Sequence, residues 1–202
     1  MNDAPYIEIV RQVLVPMFHK ESQLGRSTKS NDETAKLAFK KRLFDTILSL
    51  VEKVENGTLT NIDVRSGICR LAEEADVTTG QAQKVINVYL KYYCVLRDKQ
   101  SLIKELDCPI DSRIVKHVWK QLTPEDKVDI ENRLSLAQHG VRLNWIFFSE
   151  ITRLNKLDFL TYELLQKRLE EMGNGIRLLD DFEIYDKERI AKYLSNAEGD
   201  NL

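Results

Sequence analysis

Apolar side chains recur at three- and four-residue spacing along most of this chain, and short polar breaks cut the pattern into helix-sized pieces. Tyr6, Ile9, Val10, Val13, Leu14 and Met17 predict an amphipathic first helix that ends near Pro16. The polar stretch 22–32, with Gly25 and the pair Asn31-Asp32, predicts a loop and a cap for the next helix. That helix carries Leu37, Phe39, Leu43, Phe44, Ile47, Leu48, Val51 and Val54 on one broad face, and Asn56-Gly57 stops it. Asn61-Ile62-Asp63 signals another start, with Val64, Ile68, Leu71 and Ala72 in register. The connection Asp76-Val77-Thr78-Thr79 is short enough to demand a tight helix-turn-helix. It leads into 80–96, where Ala82, Val85, Ile86, Tyr89, Leu90, Tyr93 and Cys94 form a stripe flanked by Gln83, Lys84, Asn87 and Lys91.

Beyond a short helical piece at 102–106, Pro109 pushes Cys108 toward an extended backbone, and Asp111-Ser112 caps a helix carrying Ile114, Val115, Val118, Trp119 and Leu122. Thr123-Pro124-Glu125-Asp126 combines a hydroxyl cap, an early proline and early acids, and predicts a helix running to about Gln138. Trp145-Ile146-Phe147-Phe148 and Ile151 predict a core helix over 143–154, and 157–169 is amphipathic. Gly173-Asn174-Gly175 breaks the chain. Leu178, Leu179, Phe182, Ile184 and Tyr185 fit either a strand or an irregular segment, Asp186 caps a last helix to Leu194, and 195–202 reads as a frayed tail. No repeat or low-complexity tract interrupts the series.

Composition agrees with the periodicity. Among 202 residues, 8 Gly and 4 Pro are few and 31% are charged, which favours long helices with solvated faces. With 43% apolar residues, one core is sustainable, so the expectation is an all-α fold, a single compact multi-helix domain. The net charge of −2 argues against a protein that coats nucleic acid by bulk positive charge. The distribution is uneven: 80–120 holds eight Lys or Arg against four Asp or Glu, whereas 170–202 holds nine acids against four bases. A basic middle suits phosphates, and ordinary scatter on solvated faces explains it equally well.

Cys69, Cys94 and Cys108 form no CxxC pair, and His19, His117 and His139 stand apart from any ligand partner, so neither a metal nor a disulfide framework is expected. Asp180-Asp181 with Glu183 lacks a second acidic cluster. No cofactor is implied: the chain has no phosphate-binding loop and no nucleophile elbow. The start Met1-Asn2-Asp3-Ala4-Pro5 lacks the basic and apolar parts of a signal peptide, and no apolar run is long enough for a bilayer. A cytoplasmic protein without a membrane partner is the expectation.

The stretch that can carry chemistry is Gly80-Gln81-Ala82-Gln83-Lys84, followed by a long helix and then Pro109-Ile110-Asp111-Ser112-Arg113-Ile114-Val115. This pattern resembles the active-site half of the helix-hairpin-helix DNA glycosylases, in which a glycine hairpin leads to a catalytic lysine and a Pro-Val-Asp type motif supplies an aspartate at the next helix start. It is also similar to a group of bacterial and phage proteins without an assigned activity. The resemblance spans about a quarter of the chain, with the helix-hairpin-helix-like element at about 61–122. It departs from the family in lacking a Leu-Pro-Gly lead, in Ala82 at the second glycine, and in an interval of 27 positions, nearer to the archaeal 8-oxoguanine branch.

The resemblance implies that Lys84 is the nucleophile that forms a Schiff base with a flipped nucleotide's sugar, and that Asp111 stabilises positive charge there. Gly80, Gln81, Gln83, Arg113 and Lys116 would then be nucleic-acid contacts, with phosphate held at a helix start. Plainer readings stand beside these. Lys84 also fits a solvated helix lysine, Asp111 a simple N-cap, and Gln81 and Gln83 surface residues near a helix start. Tyr89, Tyr92 and Tyr93 fit base stacking or a core with hydroxyls at its rim. Two rivals remain: a non-catalytic protein–protein interaction module with an apolar patch at Trp145, Phe147, Phe148 or Leu178-Leu179, and a helix-turn-helix regulator, opposed by the apolar character of its second helix.

Overall fold

A computed structural model of the protein describes residues 33–74, 77–134, 140, 142–153, 156–178 and 181. The expected helix over Tyr6 to Met17, the loop at 22–32, the last turn before Gln138, the final helix after Asp186 and the tail at 195–202 lie outside the described residues. Among the described residues there are seven α-helices, one 3-10 helix and no strand, so the fold is all-α. In order they are α1 (Glu33–Glu55), α2 (Asn61–Glu74), α3 (Thr79–Leu96), the 3-10 helix (Gln100–Glu105), α4 (Ser112–Gln121), α5 (Pro124–Arg133), α6 (Trp145–Ile151) and α7 (Phe159–Met172).

Local chemistry sets most of these limits. Gly57 at φ 69 ends α1, its N–H bonding back to Val54 O at 3.1 Å. Thr60 caps α2 one residue earlier than the sequence suggests: Asp63 Oδ2 accepts from Thr60 N at 3.0 Å, and Asp63 N donates to Thr60 Oγ1 at 3.3 Å. Asn61 is released from capping and turns inward. Thr78 opens α3 and Thr123 opens α5 with reciprocal capping boxes to Gln81 and Asp126, and Pro124 takes the first helical position.

α2 packs between α1 and α3, with Val54, Val64, Ile68, Leu71, Ile86 and Leu90 almost wholly enclosed. Gly67 permits the close approach of α2 to α1, since a Cβ there would stand 3.1 Å from Leu50 Cδ1. α3 is the axis of the molecule: α1, α2, the 3-10 helix and α7 all pack on it. Of its four flanking polar residues, Lys84 alone keeps a partly solvated side chain. Gln83, Asn87 and Lys91 are buried, and Lys91 pairs with buried Asp181 and lies 4.5 Å from the Tyr92 ring centroid.

α4 packs on α6 and α7, joined by an aromatic cluster in which the Trp119 ring lies 5.1 Å from Phe148 and 6.0 Å from Trp145. The expected core helix over 143–154 is corrected here. Only Phe148 of α6 is buried, while Ile146 is 73% exposed, because α6 is two turns long and offers one side to α4. No helix among the described residues is long and apolar enough to cross a membrane.

Candidate functional site

Asp111 reaches its place through the backbone. Pro109 holds the segment before α4 extended, and Asp111, at φ −145 and ψ −176, is the N-cap of α4. Its Oδ1 accepts from Arg113 N at 2.9 Å and from Ile114 N at 3.3 Å. Its other oxygen, Oδ2, faces Lys84 Nζ across 3.5 Å, so the two residues meet although 27 positions separate them. The Lys84 side chain is 44% exposed and that of Asp111 18%, which leaves the pair open at the surface. An ion pair this solvated contributes about 0–1 kcal/mol, too little to organise the loop that carries Asp111.

The organisation comes from buried amides. Gln83, beside Lys84 on α3, donates from Nε2 to Ile110 O at 2.9 Å and accepts at Oε1 from Ile110 N at 3.0 Å. Gln166 of α7 does the same for Cys108, donating to its carbonyl at 2.7 Å and accepting from its N–H at 2.8 Å. Two carboxamides thus hold both backbone groups on either side of Pro109, standing in for the strand partner that an extended segment inside a helical protein lacks.

Asp107 anchors the same loop from its other end. The carboxylate is fully buried and accepts from Asn61 Nδ2 at 2.8 Å, Tyr162 Oη at 2.7 Å and Arg65 Nε at 3.1 Å, and it forms an ion pair with Arg177, whose Nε lies 2.8 Å away and donates to Leu106 O at 3.2 Å. Burial first, and then the Asp107 charge, push the Tyr162 phenol well above its usual range, which keeps it a neutral donor. Asn87 Nδ2 donates to Tyr162 Oη at 2.9 Å and approaches Gln83 Oε1 at 3.4 Å, linking the Asp107 cluster to the Gln83 clip.

The other expected contacts divide. Arg113 and Lys116 are exposed on α4, and Lys120 continues their face, while Ile114, Val115 and Val118 fill the opposite one. This basic stripe begins beside Asp111. Gln83 is corrected from a nucleic-acid contact to an interior clip, since its side chain is enclosed and both amide atoms are engaged. Gln81 is half-buried and spends its carbonyl oxygen on Thr78 N at 3.0 Å, and Gly80 is buried in the first turn of α3. Of the tyrosines, Tyr92 is core, and Tyr89 stacks on Tyr93 with centroids 5.9 Å apart. Tyr93 Oη donates to Glu55 Oε1 at 2.6 Å.

Cys94 and Cys108 are buried, and burial pushes the Cys94 thiol up to about 12. No group of three or more His, Cys, Asp or Glu side chains among the described residues is arranged to hold a metal ion. α3, the second helix of the regulator reading, packs against four other elements.

Sequence reasoning missed Asp107, Gln166, Asn61, Arg65, Tyr162 and Arg177. One signal was present: Gln166 sits inside the apolar series Tyr162, Leu165 and Leu169, where a solvated glutamine has no place. Comparison with known proteins adds no relative, since no protein family, no curated protein and no solved structure matches the chain.

Proposed function

We propose that the chain is a DNA-associated helical protein that acts as a lysine-dependent base-excision glycosylase or lyase of the helix-hairpin-helix kind, with Lys84 as nucleophile and Asp111 as its carboxylate. One observation carries the reading: Lys84 Nζ and Asp111 Oδ2 lie 3.5 Å apart at an accessible surface, supported by a loop rigidly held from the interior. In the reaction Lys84 Nζ passes a proton to Asp111, the freed amine attacks C1′ of a flipped nucleotide, the glycosidic C–N bond breaks, and the base leaves with that proton. Opening of the sugar ring then yields a Schiff base on Nζ. Asp111 stabilises the positive charge that grows on the sugar, and its second oxygen stays on the helix cap, which keeps it oriented. Arg113 and Lys116 would take flanking phosphates, and α2, its short connection and α3 supply the hairpin.

The test is incubation of the pure protein with duplex and single-stranded oligonucleotides carrying uracil, 8-oxoguanine or an abasic site, with borohydride present. Hydride reduces the Schiff base to a stable secondary amine, so a covalent adduct should accumulate with the wild type and vanish in Lys84→Gln. An adduct that survives Lys84→Gln, or none on any substrate, overturns the assignment. The interaction-module reading draws on exposed Trp145 and Ile146 beside Phe147, and it gains if the oligonucleotides neither bind nor react.

A further inference from the structure

We propose that Gln83 is a positioning residue, whose carboxamide, closed on both backbone groups of Ile110, sets how far Lys84 stands from Asp111. The proposal rests on Lys84 and Asp111 being the working pair, although its first test does not depend on that.

Two contacts run in parallel, offset by one residue. Gln83 holds Ile110, and the next residues along each segment, Lys84 and Asp111, face each other. The first contact is wholly enclosed, where no water competes and geometry is firmly held; the second is half-solvated, and the α4 cap orients the Asp111 carboxylate without fixing how far α4 stands from α3. Gln83 is itself fixed. Its Nε2 also donates to Gly80 O at 3.0 Å, which ties the amide to the first turn of α3, and Asn87 Nδ2 stands 3.4 Å from its Oε1. Through Asn87 and Tyr162 this reaches the Asp107 carboxylate at the far end of the loop. Only a carboxamide of this length offers a donor and an acceptor side by side to one residue's backbone. A glutamate loses the donor when ionised, and an asparagine is a methylene short.

The test joins a chemical ruler to the proposed reaction. A water-soluble carbodiimide activates the Asp111 carboxyl, and a touching Lys84 amine displaces the activated group. The new amide bond forms with release of the urea, and peptide mass spectrometry reads the link. Wild type should give the Lys84–Asp111 link. In Gln83→Met and Gln83→Asn the yield should fall to roughly a tenth, since proximity sets the effective concentration. Val54→Ala, a core variant in α1 outside the clip, should lower thermal stability and keep the link. Borohydride trapping on an abasic oligonucleotide should slow by roughly 10- to 100-fold in Gln83→Met at saturating DNA, with the apparent Kd changed by less than about two-fold.

Folded Gln83 variants that link as well as wild type, or lose no more than Val54→Ala does at equal melting temperature, overturn the proposal. If the link depends on Gln83 and wild type traps no DNA adduct, positioning stands and the glycosylase reading falls. If wild type traps DNA but the link ignores Gln83, the reverse holds.

Discussion

Asp107→Asn is the sharpest probe of what holds the site. Asp107 has no exposed surface and receives Asn61, Tyr162 and two guanidinium groups, Arg65 and Arg177. Asparagine keeps the shape but removes the charge and turns one acceptor into a donor, aimed either at donor-only N–H groups or at Tyr162 Oη, which already accepts from Asn87. Two cations then crowd a neutral amide, and Arg177, at 6% side-chain exposure, cannot swing into water. Breaking a buried pair from one side costs about 3–5 kcal/mol. Secondary partners favour the lower end of that range, since Glu163 stands 3.3 Å from Arg65 and Glu170 stands 3.0 Å from Arg177. For a chain of this size the loss corresponds to a melting temperature lowered by roughly 8–15 °C. Urea unfolding at pH 7, followed by circular dichroism, measures it directly. A loss under about 1 kcal/mol at an unchanged m-value would show that Asp107 is not the anchor and that the two amide clips suffice.

Other consequences follow from single contacts. Asp111→Asn should keep the cap, with stability within about 0.5 kcal/mol of wild type, while Asp111→Ala loses about 1 kcal/mol by chemical denaturation; both should lose the trapped adduct. Arg97 first, and then Tyr93, hydrogen-bond Glu55 and hold its carboxyl at about 2, below the ordinary 4.5. A depressed carboxylate contributes stability present above pH 4.5 and lost as pH falls toward 2, so Glu55→Gln should flatten the acid limb of a urea-midpoint series across that window. In native protein a disulfide reagent should modify half-buried Cys69 well before enclosed Cys94 and Cys108, with all three reacting at once in urea. Arg113→Gln and Lys116→Gln should each lower the salt slope of oligonucleotide binding by about one while leaving stability nearly unchanged.

What the sequence determined alone was most of what depends on near neighbours. Helix α1 with its Asn56-Gly57 stop, the Thr123-Pro124 start of α5, the Asp111 cap and the break at Gly173 follow from periodicity and capping, which act over three or four residues. The cap of α2 was misplaced by one residue because Thr60 and Asn61 are both good caps, and the choice fell to Asp107, which claims Asn61 for the interior.

Tertiary structure alone decided which polar residues lie inside. A glutamine beside a helix start reads the same whether it meets water or a backbone 27 positions away, and Gln83 meets the backbone. The same holds for Asn87, Lys91 and Gln166, whose burial depends on α7 and the 107–111 loop closing over α3. Ile146 erred the other way, since an apolar run says nothing of whether a neighbour exists to cover it. Lys84 and Asp111 were legible as candidates from the motifs that carry the resemblance; their meeting at 3.5 Å was not, because those two segments are joined by buried hydrogen bonds between positions far apart in the chain.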